Sequence, residues 1–309
     1  MRILLLVAGA LFLAASSALA IMAGGETDLP TDTPSARLDT TGQFSFVGAL
    51  SISNGSQTFK GSAVALSREW VLTAGHNADL NDDGVADTDC SASLNLPGLG
   101  TFGVAYAVIN PKFTGFGNPT INDDLALFRL STPLPETLVF PTFNSGAGIG
   151  SELTLVGFGR SGYGSYGYTT QASLTDRRFG ENVIDSFSMD DEGGGFAEVF
   201  RYDFDAPATT GQADGSLGNP FETIIGPGDS GGPALLQLGA SWDVVGINTF
   251  TEGYGGLFGD TGGGVLIAPY RDWIVQTTGI PEPSTGLLVF AGLAVVIAAR
   301  WGRCSQGRN

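Results

Sequence analysis

The sequence predicts an all-β protein, and three observations carry that prediction. Apolar stretches are short and alternate with polar residues, as in half-buried strands, instead of recurring every three or four positions as on a helix face. Between them lie turn residues in abundance: 47 of the 309 residues are glycine, the residue for backbone conformations that side chains disfavour. The 20 phenylalanines add aromatic rings that suit a pleated, half-buried surface. With 42% apolar and 15% charged residues, the chain is long enough for a large core in one or two compact units.

In chain order, residues 1–20 read as an export signal peptide rather than as fold. Arg2 precedes an apolar run over 3–15, and Ala18-Leu19-Ala20 supplies a small-residue site for signal peptidase. Residues 21–279 read as the folded domain. Residues 24–43, polar and rich in Pro and Thr, read as an extended arm. Strand patterns follow at 44–50, at 61–66 paired with 70–74, and at 104–109 and 124–130. The Pro- and Gly-rich stretch 132–150 reads as a linker. A second half opens at 153–158 and ends with strands at 244–249 and 264–268, then a short helix bearing Tyr270, Trp273 and Ile274. Residues 158–221 are less legible and read as surface insertions. At the far end, Pro281-Glu282-Pro283-Ser284 leads into an apolar run over 286–299 and then Arg300-Trp301-Gly302-Arg303. The run is short for a membrane helix but carries its basic flank on the expected inner side.

The formal charge of −17 excludes binding of nucleic acid or anionic lipid through a basic surface and suits a soluble exported protein. Of the two cysteines, Cys90 falls in a loop and Cys304 beyond the apolar tail, so they do not form a pair. Packing must stabilise the exported domain without crosslinks.

The chemistry centres on Gly226-Pro227-Gly228-Asp229-Ser230-Gly231-Gly232-Pro233. So much Gly and Pro forbids a helix or a central strand, and a hydroxyl on such a turn stands clear of its neighbours. The N–H groups of Gly228 and Ser230 are placed to meet an oxyanion beside it. The only histidine, His76, ends Thr73-Ala74-Gly75-His76, and Asp123-Asp124-Leu125-Ala126-Leu127 follows. These three motifs, in the order His, Asp, Ser, resemble the chymotrypsin/trypsin-like serine proteases (peptidase S1 family), and residues 264–274 resemble that family's last strand and helix. The resemblance implies two antiparallel six-stranded β-barrels with the site between them. It implies a Ser230 nucleophile, His76 as general base and Asp124 as its orienting acid, with Asp123 as a rival and with no cofactor required for the chemistry. It places Ile224 at the floor of the specificity pocket, Thr249, Phe250 and Thr251 on its wall and Gly264 on its other side. An apolar floor implies cleavage after small or medium apolar residues. It also implies an activation pair, in which a new N-terminus at Ile21 meets Asp229. Family members commonly staple the histidine loop with a disulfide; here Asn77 follows His76.

Two further patterns remain. Asp79, Asn81, Asp83, Val85 and Asp87 have the alternate spacing of a calcium loop, although Cys90 stands where a bidentate Glu belongs. Structural calcium and a plain acidic turn are both open readings. The C-terminal arrangement resembles the PEP-CTERM sorting signal of Gram-negative bacteria. That resemblance implies an exosortase-type sorting enzyme as a partner and delivery to the cell surface or extracellular matrix; a plain C-terminal anchor is the other reading. For the whole protein, the expectation is a secreted serine endopeptidase acting on protein or peptide substrates. A catalytically silent adhesion or matrix-binding module on the same fold and an esterase are the alternatives.

Overall fold

The computed structural model describes residues 21–23, 33–117, 120–206, 216–217, 221–253 and 255–280. The two expected sorting segments, 1–20 and 281–303, lie outside them. Among the described residues no helix is long and apolar enough to cross a membrane.

The first half is a closed antiparallel barrel. Its strands are β1 (Val47–Ser53), β2 (Thr58–Ala65), β3 (Trp70–Thr73), β4 (Ser91–Leu96), β5 (Gly100–Ile109) and β6 (Ala126–Leu130). They run in the order β1-β2-β3-β6-β5-β4, and β4 closes the ring by pairing with β1 at Leu50 and Leu94. Both of those leucines are buried, as are Val47, Val64, Leu72, Leu127 and Phe128 on the neighbouring strands. Closure leaves no exposed edge in this half.

The second half departs from the expected six-stranded barrel. Its strands are β7 (Glu152–Gly157), β8 (Ser161–Tyr163), β9 (Gly167–Thr170), β10 (Arg178–Val183), β11 (Ser186–Met189), β12 (Ala197–Asp203), β13 (Pro233–Leu238), β14 (Ser241–Glu252) and β15 (Thr261–Leu266). Seven of them form one sheet, ordered β10-β7-β13-β14-β15-β12-β11, while β8 and β9 make a separate ribbon. The sheet does not close by a backbone ladder among the described residues. A side chain spans the gap instead: buried Asn182 on β10 donates from Nδ2 to the Asp203 carbonyl at the end of β12 (2.6 Å) and to the Thr223 carbonyl (2.8 Å). The region that was hard to read, 158–221, therefore holds five strands rather than simple surface insertions.

Two apolar clusters fill the halves. The first runs from the barrel across Val156, Phe158, Val244 and Ile247 to Tyr270 and Ile274. The second holds Ile21, Met22, Leu153, Phe200, Tyr202 and Ile224. Helix α1 (Arg271–Thr278) buries Ile274 in the first and ends at Gly279, whose left-handed backbone lets its N–H reach the Val275 carbonyl. The expected extended arm, over its described part, is anchored to the second half. Arg37 is fully buried, and its guanidinium donates to the carbonyls of Phe221 (2.7 Å) and Glu222 (3.1 Å).

Truncating Asn182 to Ala should remove both side-chain hydrogen bonds across the seam of the second half. Denaturant unfolding should show a loss of about 1–3 kcal/mol, from two hydrogen bonds removed. An unchanged midpoint would contradict the bridging role.

Candidate active site

The turn that carries Ser230 is pressed against the first barrel. Ser62 on β2 donates its N–H to the Ser230 carbonyl (2.8 Å) and its hydroxyl to the Gly228 carbonyl (2.9 Å). Asn77 donates from Nδ2 to the same Ser230 carbonyl (2.9 Å) and to Thr73 Oγ1 (2.9 Å). Thr73 in turn donates to the Ser62 carbonyl (2.8 Å). No side chain fits in this contact. A Cβ on Gly231 would lie 2.0 Å from Thr73 Oγ1 and 2.1 Å from the Ser62 carbonyl, at a φ of +88° that L-residues rarely adopt.

His76 sits on a short 3-10 turn (Gly75–Asn77) directly after β3. Its backbone N–H donates to Asp124 Oδ1 (2.8 Å), and its ring Nδ1 donates to Asp124 Oδ2 (2.7 Å). This bidentate grip places the proton on Nδ1 and leaves the Nε2 lone pair free. Asp124 is fully buried, and geometry separates it from its rival. Asp123 has a left-handed backbone (φ 60°) and accepts a bond from Asn110 (3.1 Å), away from the imidazole. Burial and the neighbouring Glu192 push the Asp123 carboxyl up to about 6.

His76 and Ser230 line one cleft of about 220 Å³ with Phe116, Ile225, Gly226, Pro227, Thr249, Phe250 and Thr251. Ser230 Oγ is turned to the Thr249 carbonyl at 3.5 Å, and no hydrogen bond joins it to His76 in this conformer. Such contacts commonly tighten only when substrate binds. Among the described residues, neither the Gly228 nor the Ser230 N–H donates to a protein group, so both remain available to an oxyanion.

The expected pocket residues divide. Thr249, Phe250 and Thr251 form the cleft wall. Ile224 does not reach the cleft: it is buried in the second core, where its carbonyl accepts from Met22 N–H (3.1 Å), and Ile225 lines the cleft instead. Gly264 faces the backbone of β14, where a Cβ would lie 1.9 Å from the Ile247 carbonyl. Phe116, which no sequence motif singled out, packs its ring 4.7 Å from the His76 ring. It is held there by its N–H, which donates to Asp82 in the acidic loop.

That acidic loop is closed by its own backbone. Asp79 accepts the N–H groups of Asp83 (3.1 Å) and Gly84 (2.7 Å), Asn81 accepts Asp83 N–H (3.1 Å), Asp83 accepts Val85 N–H (3.0 Å) and Asp87 accepts Leu80 N–H (2.7 Å). The carboxylates of Asp79, Asp83 and Asp87 are not among those that converge on a common point. These N–H bonds leave lone pairs on each oxygen, and calcium at Asp79, Asn81, Asp83, Val85 and Asp87 stays an expectation of the sequence. The loop's observed work is to seat Phe116.

Asp229 points inward. Its carboxylate accepts the N–H groups of Gly159 (2.6 Å), Gly226 (2.8 Å) and Ile21. A Cβ at Gly157 would lie 2.1 Å from Asp229 Oδ1, so Gly157 and Gly159 make the room it occupies. Burial pushes Asp229 up to about 6 despite these donors.

Burial alone would lower the His76 pKa. The Asp124 carboxylate, with Asp82 and Asp79 further off, outweighs burial and holds His76 above its ordinary 6.5. A pKa raised on folding stabilises the protein fully below the unfolded value, and that stabilisation is lost as pH rises through the folded value. His76 is the only histidine, so its ring protons can be followed by NMR without ambiguity. They should titrate above 6.5, and Asp124→Asn should lower the midpoint, since only the more distant Asp82 and Asp79 then oppose burial. Equal midpoints in the two proteins would contradict the assigned pairing.

No curated protein matches the chain in a sequence search. The trypsin family model matches residues 36–274, a span that contains His76, Asp124 and Ser230 and begins after Ile21. By that match, the chain is a member of the trypsin family of serine proteases.

Proposed function

We propose that the protein is an exported serine endopeptidase whose chemistry is carried by Ser230, His76 and Asp124. The observation that carries the reading is the two-point grip of buried Asp124 on the His76 backbone and ring, in the cleft wall that also presents Ser230. Ser230 Oγ attacks the scissile carbonyl carbon while His76 Nε2 takes the hydroxyl proton. Asp124 holds the imidazole and stabilises the imidazolium. The N–H groups of Gly228 and Ser230 stabilise the oxyanion. His76 then gives its proton to the leaving amine, and water repeats the sequence on the acyl-enzyme.

The cleft wall favours apolar side chains before the scissile bond. Ile225 and Phe250 line it without an acidic group, and Arg201 lies 4.8 Å over the Phe250 ring with its charge paired to Glu252. A substrate Arg or Lys would be desolvated with no partner.

Activation in this reading follows export. Ile21 is buried, its N–H reaches Asp229, and its carbonyl accepts the Ser161 hydroxyl. Its φ of 57° is an outlier for a β-branched residue and costs about 1–2 kcal/mol. Cleavage between Ala20 and Ile21 removes that torsion and turns an amide donor into an ammonium. Without the ammonium, the raised Asp229 pKa favours the fold at low pH and disfavours it as pH rises through about 6. The ammonium supplies the missing charge. Residues 281–303 fit a later sorting step at the cell surface.

Peptide amides ending in Ala, Val or Leu before the scissile bond should be cleaved with kcat/KM at least ~10-fold above those ending in Arg or Lys. Ser230→Ala should lower turnover by on the order of 10⁴ or more. A preference for basic residues would sink the pocket assignment. Chains beginning at Ile21 should be at least ~10-fold more active than chains with one extra Ala, by loss of a buried ion pair. Equal activities would show that the amine does no work at Asp229.

A further inference from the structure

Beside the loop that carries Asp124, five carboxylates from three segments gather. Oxygens of Asp123, Asp191 and Glu192 converge within 4.8 Å of one another, as do those of Asp190, Asp191 and Glu198. Lys112 is the cation that meets them. It pairs with Glu192 at the rim and lies 3.6 Å from Asp190 Oδ1.

The inner carboxylates are half satisfied. Glu198, at the start of β12, is fully buried; its Oε2 accepts Asn122 Nδ2, and its Oε1 accepts nothing. Asp190 accepts Gly194 N–H through Oδ2, while its buried Oδ1 has no hydrogen bond. Asp191 is held through Oδ2 by the Thr120 hydroxyl (2.7 Å). Glu198 Oε1 is thus left over, and Asp190 Oδ1 has only the Lys112 ammonium at 3.6 Å. Buried carboxylate oxygens without donors are costly unless a cation meets them. Lys112, which is half exposed, does not reach Glu198 Oε1.

The geometry points to a calcium site formed by Asp190, Asp191 and Glu198, with Asp123 at its margin. Hard oxygen ligands on an irregular loop fit calcium better than magnesium, which demands near-ideal octahedral geometry. The site would brace the region of the imidazole partner. Asn122, two residues before Asp124, donates to both Glu198 and the Met189 carbonyl (3.1 Å). Binding there does not depend on whether Ser230 is a nucleophile.

The test is calcium chloride titration of the purified protein by calorimetry, with thermal melts in calcium and in chelator. One equivalent should bind. Calcium at about a hundred times its Kd should raise Tm by roughly 5–10 °C. Glu198→Gln and the exposed-site variant Asp191→Asn should each weaken binding at least ~10-fold, whereas Asp79→Asn with Asp83→Asn should leave it intact. Asp191→Asn decides the matter if Glu198→Gln does not fold. Identical melts with calcium and chelator would overturn the proposal. So would binding that Asp191→Asn leaves unchanged.

Discussion

The arrangement of this protein depends on one steric constraint: the Ser230 turn must lie flat on β2 and β3. Position 231 admits no Cβ, because Thr73 Oγ1 and the Ser62 carbonyl already occupy its place. Ser62, Thr73 and Asn77 convert that close approach into a hydrogen-bonded seam between the two halves. Asp124 lies just before β6, which pairs with β3, and His76 just after β3. The seam therefore sets the position of Ser230 relative to both. The first apolar core also spans the two halves, running from the barrel onto β7, β13 and β14.

A second constraint acts from beneath. Asp229 is buried with three backbone donors on its carboxylate and no side-chain hydrogen bond among the described residues. Burial drives its pKa up, so the turn is held by a group whose charge is only partly compensated. Ile21 and Met22 pack into the second core at the same place. The turn is thus fixed from above by a fit that tolerates no side chain and from below by a carboxylate that accepts the Ile21 N–H. The first is built into the fold. In the proposed reading, the second changes when cleavage makes Ile21 the N-terminus.

Much of this was legible in sequence where the signal was local. The alternation along 47–53, 70–73 and 126–130 marks barrel strands, and the Gly-Asp-Ser-Gly-Gly stretch marks a tight turn. The family resemblance favoured Asp124 over Asp123, and the backbone of Asp123 bears on that choice: its left-handed turn sends the two neighbouring carboxylates to different partners. What escaped was non-local. Ser62 and Ser230 are far apart in the chain, and Asn182 spans a seam that no strand pattern announces. Phe116 reaches His76 only because the acidic loop at 79–87 folds over it. That loop carries calcium spacing, and its oxygens also accept its own N–H groups. The carboxylates that do converge come from three separate segments, so no contiguous motif reveals them.

The central claim is that this cleft holds a working nucleophile. The most direct measurement is labelling of the purified protein with a fluorophosphonate probe, which reacts with an activated serine hydroxyl. The account predicts covalent labelling at Ser230, lost in Ser230→Ala and strongly slowed in His76→Ala, with all three proteins folded. A folded wild-type protein that takes no label would contradict it and would favour a silent binding module on the same trypsin fold.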